Sequence, residues 1–307
     1  MEQSFAKVVS FAALICLGWV LRRFGILKPE AFSAISGLVI FVTLPCVILT
    51  NLNGVAIEGE MLWVAVWGLV TNFTLLAFAW AVSSREKDRD RRDFMRLNIT
   101  GYSCGPFAMP YVQAFYPSLG LLSVCMFDVG NVLMSGGGTY AIIAAGREKT
   151  TLLGTLRIIG SKLMRSGPLL AFLLVIILNI LGTKLPDGII TFTSIAAGAN
   201  TFLCMIMIGE SISLAISGGK GLFIAKLLGM RWALCIALAL ISWFLLPFEE
   251  EVRKAITLTV MAPIPAMNLI FTSKLRGDIA MAANLSSLNV ATSIIALSVA
   301  LTLFGAI

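Results

Sequence analysis

VMAPIPAMNLIF, residues 260–271, lies inside an apolar stretch long enough to cross a membrane, yet it carries Pro263, Pro265 and Asn268. A proline inside a helix removes one hydrogen bond and clashes with the carbonyl four residues back, at a cost of about 3 kcal/mol or more. In hydrocarbon no water replaces the lost partner, so irregular backbone persists there only when buried in protein or lining a wet cavity. A second stretch, NITGYSCGPFAMPYVQAFY (98–116), has the same character through Gly101, Gly105, Pro106 and Pro110. Together they predict a pair of interrupted membrane helices.

The surrounding composition agrees. Of 307 residues, 58% are hydrophobic and 13% charged, which is a membrane rather than a soluble balance. Ten apolar runs of about 20 residues, enough to cross roughly 30 Å of hydrocarbon, fall near 4–21, 34–52, 61–82, 97–116, 120–144, 168–183, 188–214, 229–247, 254–273 and 280–305. With both termini outside, the expected cytoplasmic loops hold 19 of the 23 Lys and Arg residues, Arg231 among them. Such a bias orients membrane proteins, and it accounts for the net charge of +7 without nucleic acid as a partner. MEQS offers no basic start for a cleaved leader, so the first span is expected to stay. All six cysteines fall in spans and histidine is absent, so no disulfide framework, metal site, cofactor or enzymatic centre is expected.

Five spans fall on each side of residue 153, and an odd number turns the second half upside down relative to the first. The two Gly/Pro-interrupted spans are the fourth of each half, a pattern that points to the binding site of inverted-repeat transporters. If both break near the midplane and cross, each exposes a half-helix N-terminus with partial positive charge, and the freed N–H groups suit an anion. The expected fold is all-α, with ten transmembrane helices in two inverted five-helix repeats, residues 1–146 and 168–307. The stretch 147–167, with Leu152, Leu156, Ile159 and Leu163 beside Arg157 and Lys162, is expected to form an amphipathic helix on the cytoplasmic surface that links them.

The stretches LGWVLRRFGILKPEAFSAISGLVIFVTLPCVIL (17–49), GYSCGPFAMPYVQAFYPSLGLLSVCMFDVGNVLMSGGGTYA (101–141) and APIPAMNLIF (262–271) resemble the auxin efflux carrier family of membrane transporters, in its bacterial members. The resemblance implies a fold related to sodium/proton antiporters and bile-acid symporters, with crossed fourth and ninth helices. It implies a scaffold of helices 1, 2, 6 and 7, joined as a homodimer, and a moving transport domain of helices 3–5 and 8–10. The implied substrate is a small organic anion: plant members export indole-3-acetate, and bacterial ones are associated with malate or malonate. Bacterial members often carry asparagine where this chain has Ser103.

Polar residues inside the spans complete the candidate site. An intramembrane carboxylate costs at least about 2.5 kcal/mol and is a functional candidate by default. Asp128 and Asn131 are three apart on the fifth span and share a helix face, where they are candidates for proton or sodium coupling together with Asn284. Asn289 on the tenth span mirrors them, while Glu210 is expected to snorkel or pack rather than bind. Asn98, Ser103 and Asn268 are expected to contact the anion with their side chains, alongside the break residues and Asn289. Gly136 to Gly138 are expected to let a neighbouring helix approach. The expected activity is secondary transport of an organic anion by an elevator-like shift, in the cell inner membrane. A sodium-coupled symporter of the bile-acid type and a transporter-derived sensor are the alternatives.

Overall fold

The computed structural model describes residues 2–28, 30–147, 166–212 and 220–305. The expected linker helix therefore lies almost wholly outside the described residues. Among those residues, the chain forms helices and turns only.

In chain order the helices are α1 (Glu2–Arg23), α2 (Ala31–Leu52), α3 (Met61–Ser83), α4 (Arg89–Ile99), α5 (Met109–Phe115) and α6 (Leu119–Arg147), followed by α7 (Gly167–Ile180), α8 (Asp187–Ser211), α9 (Gly221–Phe244), α10 (Glu250–Val260), α11 (Met267–Lys274) and α12 (Ile279–Leu303). Six of them, α2, α3, α6, α8, α9 and α12, are long and apolar enough to cross a membrane. The four other expected spans correspond to α1, to the shorter apolar α7, and to two interrupted pairs, α4 with α5 and α10 with α11. Among the described residues the structure is helical without strands, which is compatible with a polytopic membrane protein.

The long helices are apolar on all sides. Val64, Gly68, Thr71, Leu75 and Ala79 of α3 form its buried stripe, while Leu62, Trp63, Val66 and Phe73 face outward. A helix without a polar face belongs in a core or in lipid.

Small residues set the closest contacts. A Cβ on Gly68 of α3 would overlap the Phe127 carbonyl of α6, and one on Gly130 of α6 would overlap the Ala65 carbonyl of α3. The same device joins α1 to α8, where Gly18 meets Ile206 and Gly209 meets Ile15. Such approach is how membrane helices gain packing when lipid is as apolar as they are. The Gly136 to Gly138 run does something else. It forms a π turn within α6 at Met134–Gly138, with Gly137 at φ 137°, and carbons added at Gly136 or Gly138 would meet α6 itself.

Two prolines explain two further π turns. Pro45 in α2 follows a π turn at Val39–Thr43, and Pro110 in α5 follows one at Cys104–Ala108. A proline has no N–H for the carbonyl four residues back and its ring collides with it. Widening the preceding turn relieves both problems. The widened turn in α2 also aims Thr43, whose hydroxyl donates to Asn200 Oδ1 of α8 at 2.8 Å.

One expectation is overturned. Arg231 is not a loop residue: it lies inside α9, whose start is Gly221, and is 2% exposed. The apolar residues before it, Leu222, Phe223, Ile224, Leu227 and Leu228 among them, extend the helix well before the expected start at 229.

Candidate functional site

The first interrupted segment runs as helix α4 to Ile99, irregular backbone at Thr100–Ser103, then the π turn and α5. Gly101 has φ 86°, a left-handed conformation that a side chain disfavours, and a Cβ there would come within 2.8 Å of Pro265 Cγ. The second segment leaves helix α10 at Val260 and re-enters α11 at Met267. Pro263 and Pro265 withhold two N–H groups in between. The two breaks touch: the Ser103 N–H donates to the Pro263 carbonyl at 2.9 Å.

Side chains complete the hydrogen bonding that the breaks lose, as buried backbone requires. Asn131 of α6 acts like a strand partner to Tyr102, accepting its N–H at 3.1 Å and donating to its carbonyl at 2.9 Å. Asn289 of α12 does the corresponding service for the second break, accepting from the Ile264 N–H at 2.8 Å. Asn268 of α11 donates to the Leu97 and Thr100 carbonyls at 2.8 and 3.1 Å. Asn98 of α4 reaches the other way, donating to Thr272 Oγ1 at 3.2 Å and to the Phe94 carbonyl at 3.0 Å. The structure therefore brings Asn98, Gly101, Ser103, Asn131, Pro263, Pro265, Asn268 and Asn289 together, with the amide groups of the asparagines turned onto backbone.

Asp128 stands at the edge of this arrangement. Its Oδ1 accepts from Asn131 Nδ2 at 2.8 Å, and the Cys104 sulfur lies 3.3 Å from the same nitrogen. Asp128 is only half-buried, because it lines a narrow open cleft. Ile48 of α2, Met109 of α5, Val132 of α6, Phe172 of α7 and Ser166, just before α7, also line it. The cleft thus separates the interrupted segment and α6 from α2 and α7. Beside it, the start of the π turn leaves the amides of Cys104, Gly105 and Phe107 without a helical acceptor, while Pro106 has none to offer.

The remaining expected residues take no part in the contact between the breaks. Gly105 is packed under Leu44 of α2, since a Cβ there would be 3.0 Å from Leu44 Cδ2. Pro110 is buried in the first turn of α5, and Asn284 is buried on α12 toward the end that starts at Ile279. Glu210 is buried at the end of α8, where its backbone carbonyl accepts from the Arg22 guanidinium.

Two participants escaped the sequence reading. Asn72 of α3 donates to Asn131 Oδ1 at 3.2 Å and to the Gly68 carbonyl at 2.8 Å, fixing the orientation of the Asn131 amide. Arg231 of α9 donates to the carbonyls of Ile99, Gly101 and Ala262, the last two at 2.8 and 3.2 Å. A cation followed by an uncharged apolar run from Trp232 to Phe244 was the available signal.

Over 224 residues, 68% of its own length and 68% of the relative's, the chain is 29% identical to an uncharacterized transporter of Methanothermobacter thermautotrophicus. No family model matches it. A transporter relative and a set of long apolar helices support a multi-pass membrane transporter in general.

Proposed function

We propose that the chain is a secondary transporter of a small organic anion, of the auxin efflux carrier type, and that the crossed breaks carry the binding site. The observation that carries the reading is the contact of two interrupted segments, Ser103 N–H to Pro263 carbonyl, with a cleft between the first of them and α2, α6 and α7. Interrupted helices in corresponding positions of two halves mark the site in inverted-repeat transporters. In this reading each break belongs to one of two inverted repeats. Helices α1, α2, α7 and α8 form a scaffold through which two copies pair, and the other helices shift against it. Both termini lie on the extracytoplasmic side of the inner membrane.

The anion would take the free amides of Cys104, Gly105 and Phe107 at the start of the π turn, as anions do at helix N-termini. Asp128 conditions that binding. An anion entering the same cleft is repelled by a carboxylate, and the repulsion is strong where the dielectric is low. Binding is therefore favoured when Asp128 holds a proton or when a cation sits between the two. Proton coupling and a sodium-coupled symport of the bile-acid type both follow from this position, and the ion dependence of uptake separates them.

The test begins with thermal stability of the purified protein against a panel of mono- and dicarboxylates that includes malonate, malate and indole-3-acetate. A ligand that binds only the native state raises stability by mass action. Counterflow in proteoliposomes follows for each stabilising compound. At least one small carboxylate is expected both to stabilise and to exchange. A protein that stays folded and neither binds nor exchanges any of them overturns the reading.

A further inference from the structure

A buried guanidinium in a membrane protein needs a counter-charge, and among the described residues no carboxylate forms an ion pair with Arg231. Its partners are three carbonyls at the ends of two helices. Ile99 is the last residue of α4, Gly101 lies just past the cap residue Thr100, and Ala262 just past the cap residue Met261 of α10. The last carbonyls of a helix have no partner within it, and each C-terminus carries a partial charge of about −0.5. Two such poles meet at the crossing. Left alone they would repel each other and leave buried acceptors unsatisfied, which costs their desolvation. One guanidinium carries about the charge needed to offset both, and its planar fork presents several donors in fixed directions. The Tyr102 ring, 5.5 Å from the guanidinium carbon, covers it from within the first break.

We propose that Arg231 is the positioning residue of the crossing, a clamp whose single charge offsets both half-helix C-terminal poles and whose fork ties the two breaks into one unit. The clamp joins elements that the sequence places far apart, Ile99 and Gly101 on one side and Ala262 on the other. It stands independently of which ligand the crossing holds, so its failure would not be confused with failure of the transport reading.

The test is hydrogen–deuterium exchange of the full chain in lipid nanodiscs, followed in peptides covering 98–108 and 260–268. Arg231→Met keeps the apolar volume and removes charge and donors, whereas Arg231→Lys keeps the charge and loses the fork. Loss of hydrogen bonds to a charged group predicts exchange about ten-fold faster or more in both peptides of Arg231→Met, with peptides of α1 and α8 unchanged. Arg231→Lys is expected to fall between Met and wild type in both breaks, a partial rescue that a purely space-filling role would not produce. The proposal is overturned if Arg231→Met exchanges like wild type, if only one break accelerates, or if Lys rescues no better than Met. Should Arg231→Met fail to fold, wild-type exchange in both breaks of the folded Arg231→Lys protein also overturns it.

Discussion

The two breaks reach the same outcome by different chemistry. The first is made by glycine: Gly101 turns the chain at φ 86° and its missing side chain lets Pro265 pack against it. The second is made by proline, with no left-handed residue between Met261 and Ala266. Their surroundings differ too. The first break has Asp128, Cys104 and the cleft beside it, and Asn131 bonds both polar groups of Tyr102. For the second, Asn289 takes one N–H, that of Ile264. In the proposed reading the anion is held at the first break and the second supports it, with Arg231 bonded to both.

Gly101→Ala is expected to cause a large loss of stability. The left-handed conformation costs a non-glycine residue about 1–2 kcal/mol, and overpacking against Pro265 adds roughly 1–3 kcal/mol. Thermal unfolding in detergent checks this. Adding Pro265→Ala should return part of the loss, since it removes the contacting ring, and strict additivity of the two changes would show that the breaks do not press on each other.

Asn131→Ala should cost more than Asn289→Ala. The first substitution leaves both the N–H and the carbonyl of Tyr102 unpaired in a buried site, at about 1–3 kcal/mol each, and the second leaves the single Ile264 N–H. Equal losses would remove the asymmetry argued above. Asp128→Asn nearly keeps shape and can still accept from Asn131, so stability should change by less than about 1 kcal/mol, while the pH or sodium dependence of uptake should flatten. Unchanged ion dependence would make Asp128 a structural residue.

The smallest effect lies outside the membrane. The Lys220 ammonium, with help from the Met281 amide, holds the Asp278 carboxyl below the usual carboxylate range. A depressed carboxyl contributes stability above its unfolded pKa of about 3.9 and loses it as pH falls through the folded value. Asp278→Asn should therefore lower stability at pH 7 and converge with wild type in strong acid. The pair is partly exposed, with side chains 51% and 30% accessible, which limits the effect to about 1 kcal/mol.

Glycine and proline made both breaks legible in the sequence, because those residues alter backbone freedom wherever they stand. Asn131 and Asn289 were legible as polar groups in apolar runs. Their partners were not, because the backbone of Tyr102 and Ile264 has no side-chain signature. Arg231 was misplaced because counting charges toward loops assumes that a membrane cation must escape to water, and here helix ends solvate it. The Gly136 to Gly138 run was misread because glycine permits both close approach and a bulge. Spacing alone does not choose between them; the choice fell to Gly137 and its left-handed φ.

The central claim is that the interruption of the second segment is needed for transport and not for folding. Pro263→Ala with Pro265→Ala restores two N–H donors and removes two ring clashes, which favours a continuous helix from α10 into α11. The direct measurement is counterflow of radiolabelled malonate, malate and indole-3-acetate in proteoliposomes carrying this double variant, with exchange in α1 and α8 as the folding control. The account predicts native exchange in those helices and flux at the level of empty liposomes for every carboxylate that the wild type moves. Wild-type flux by the double variant would contradict it.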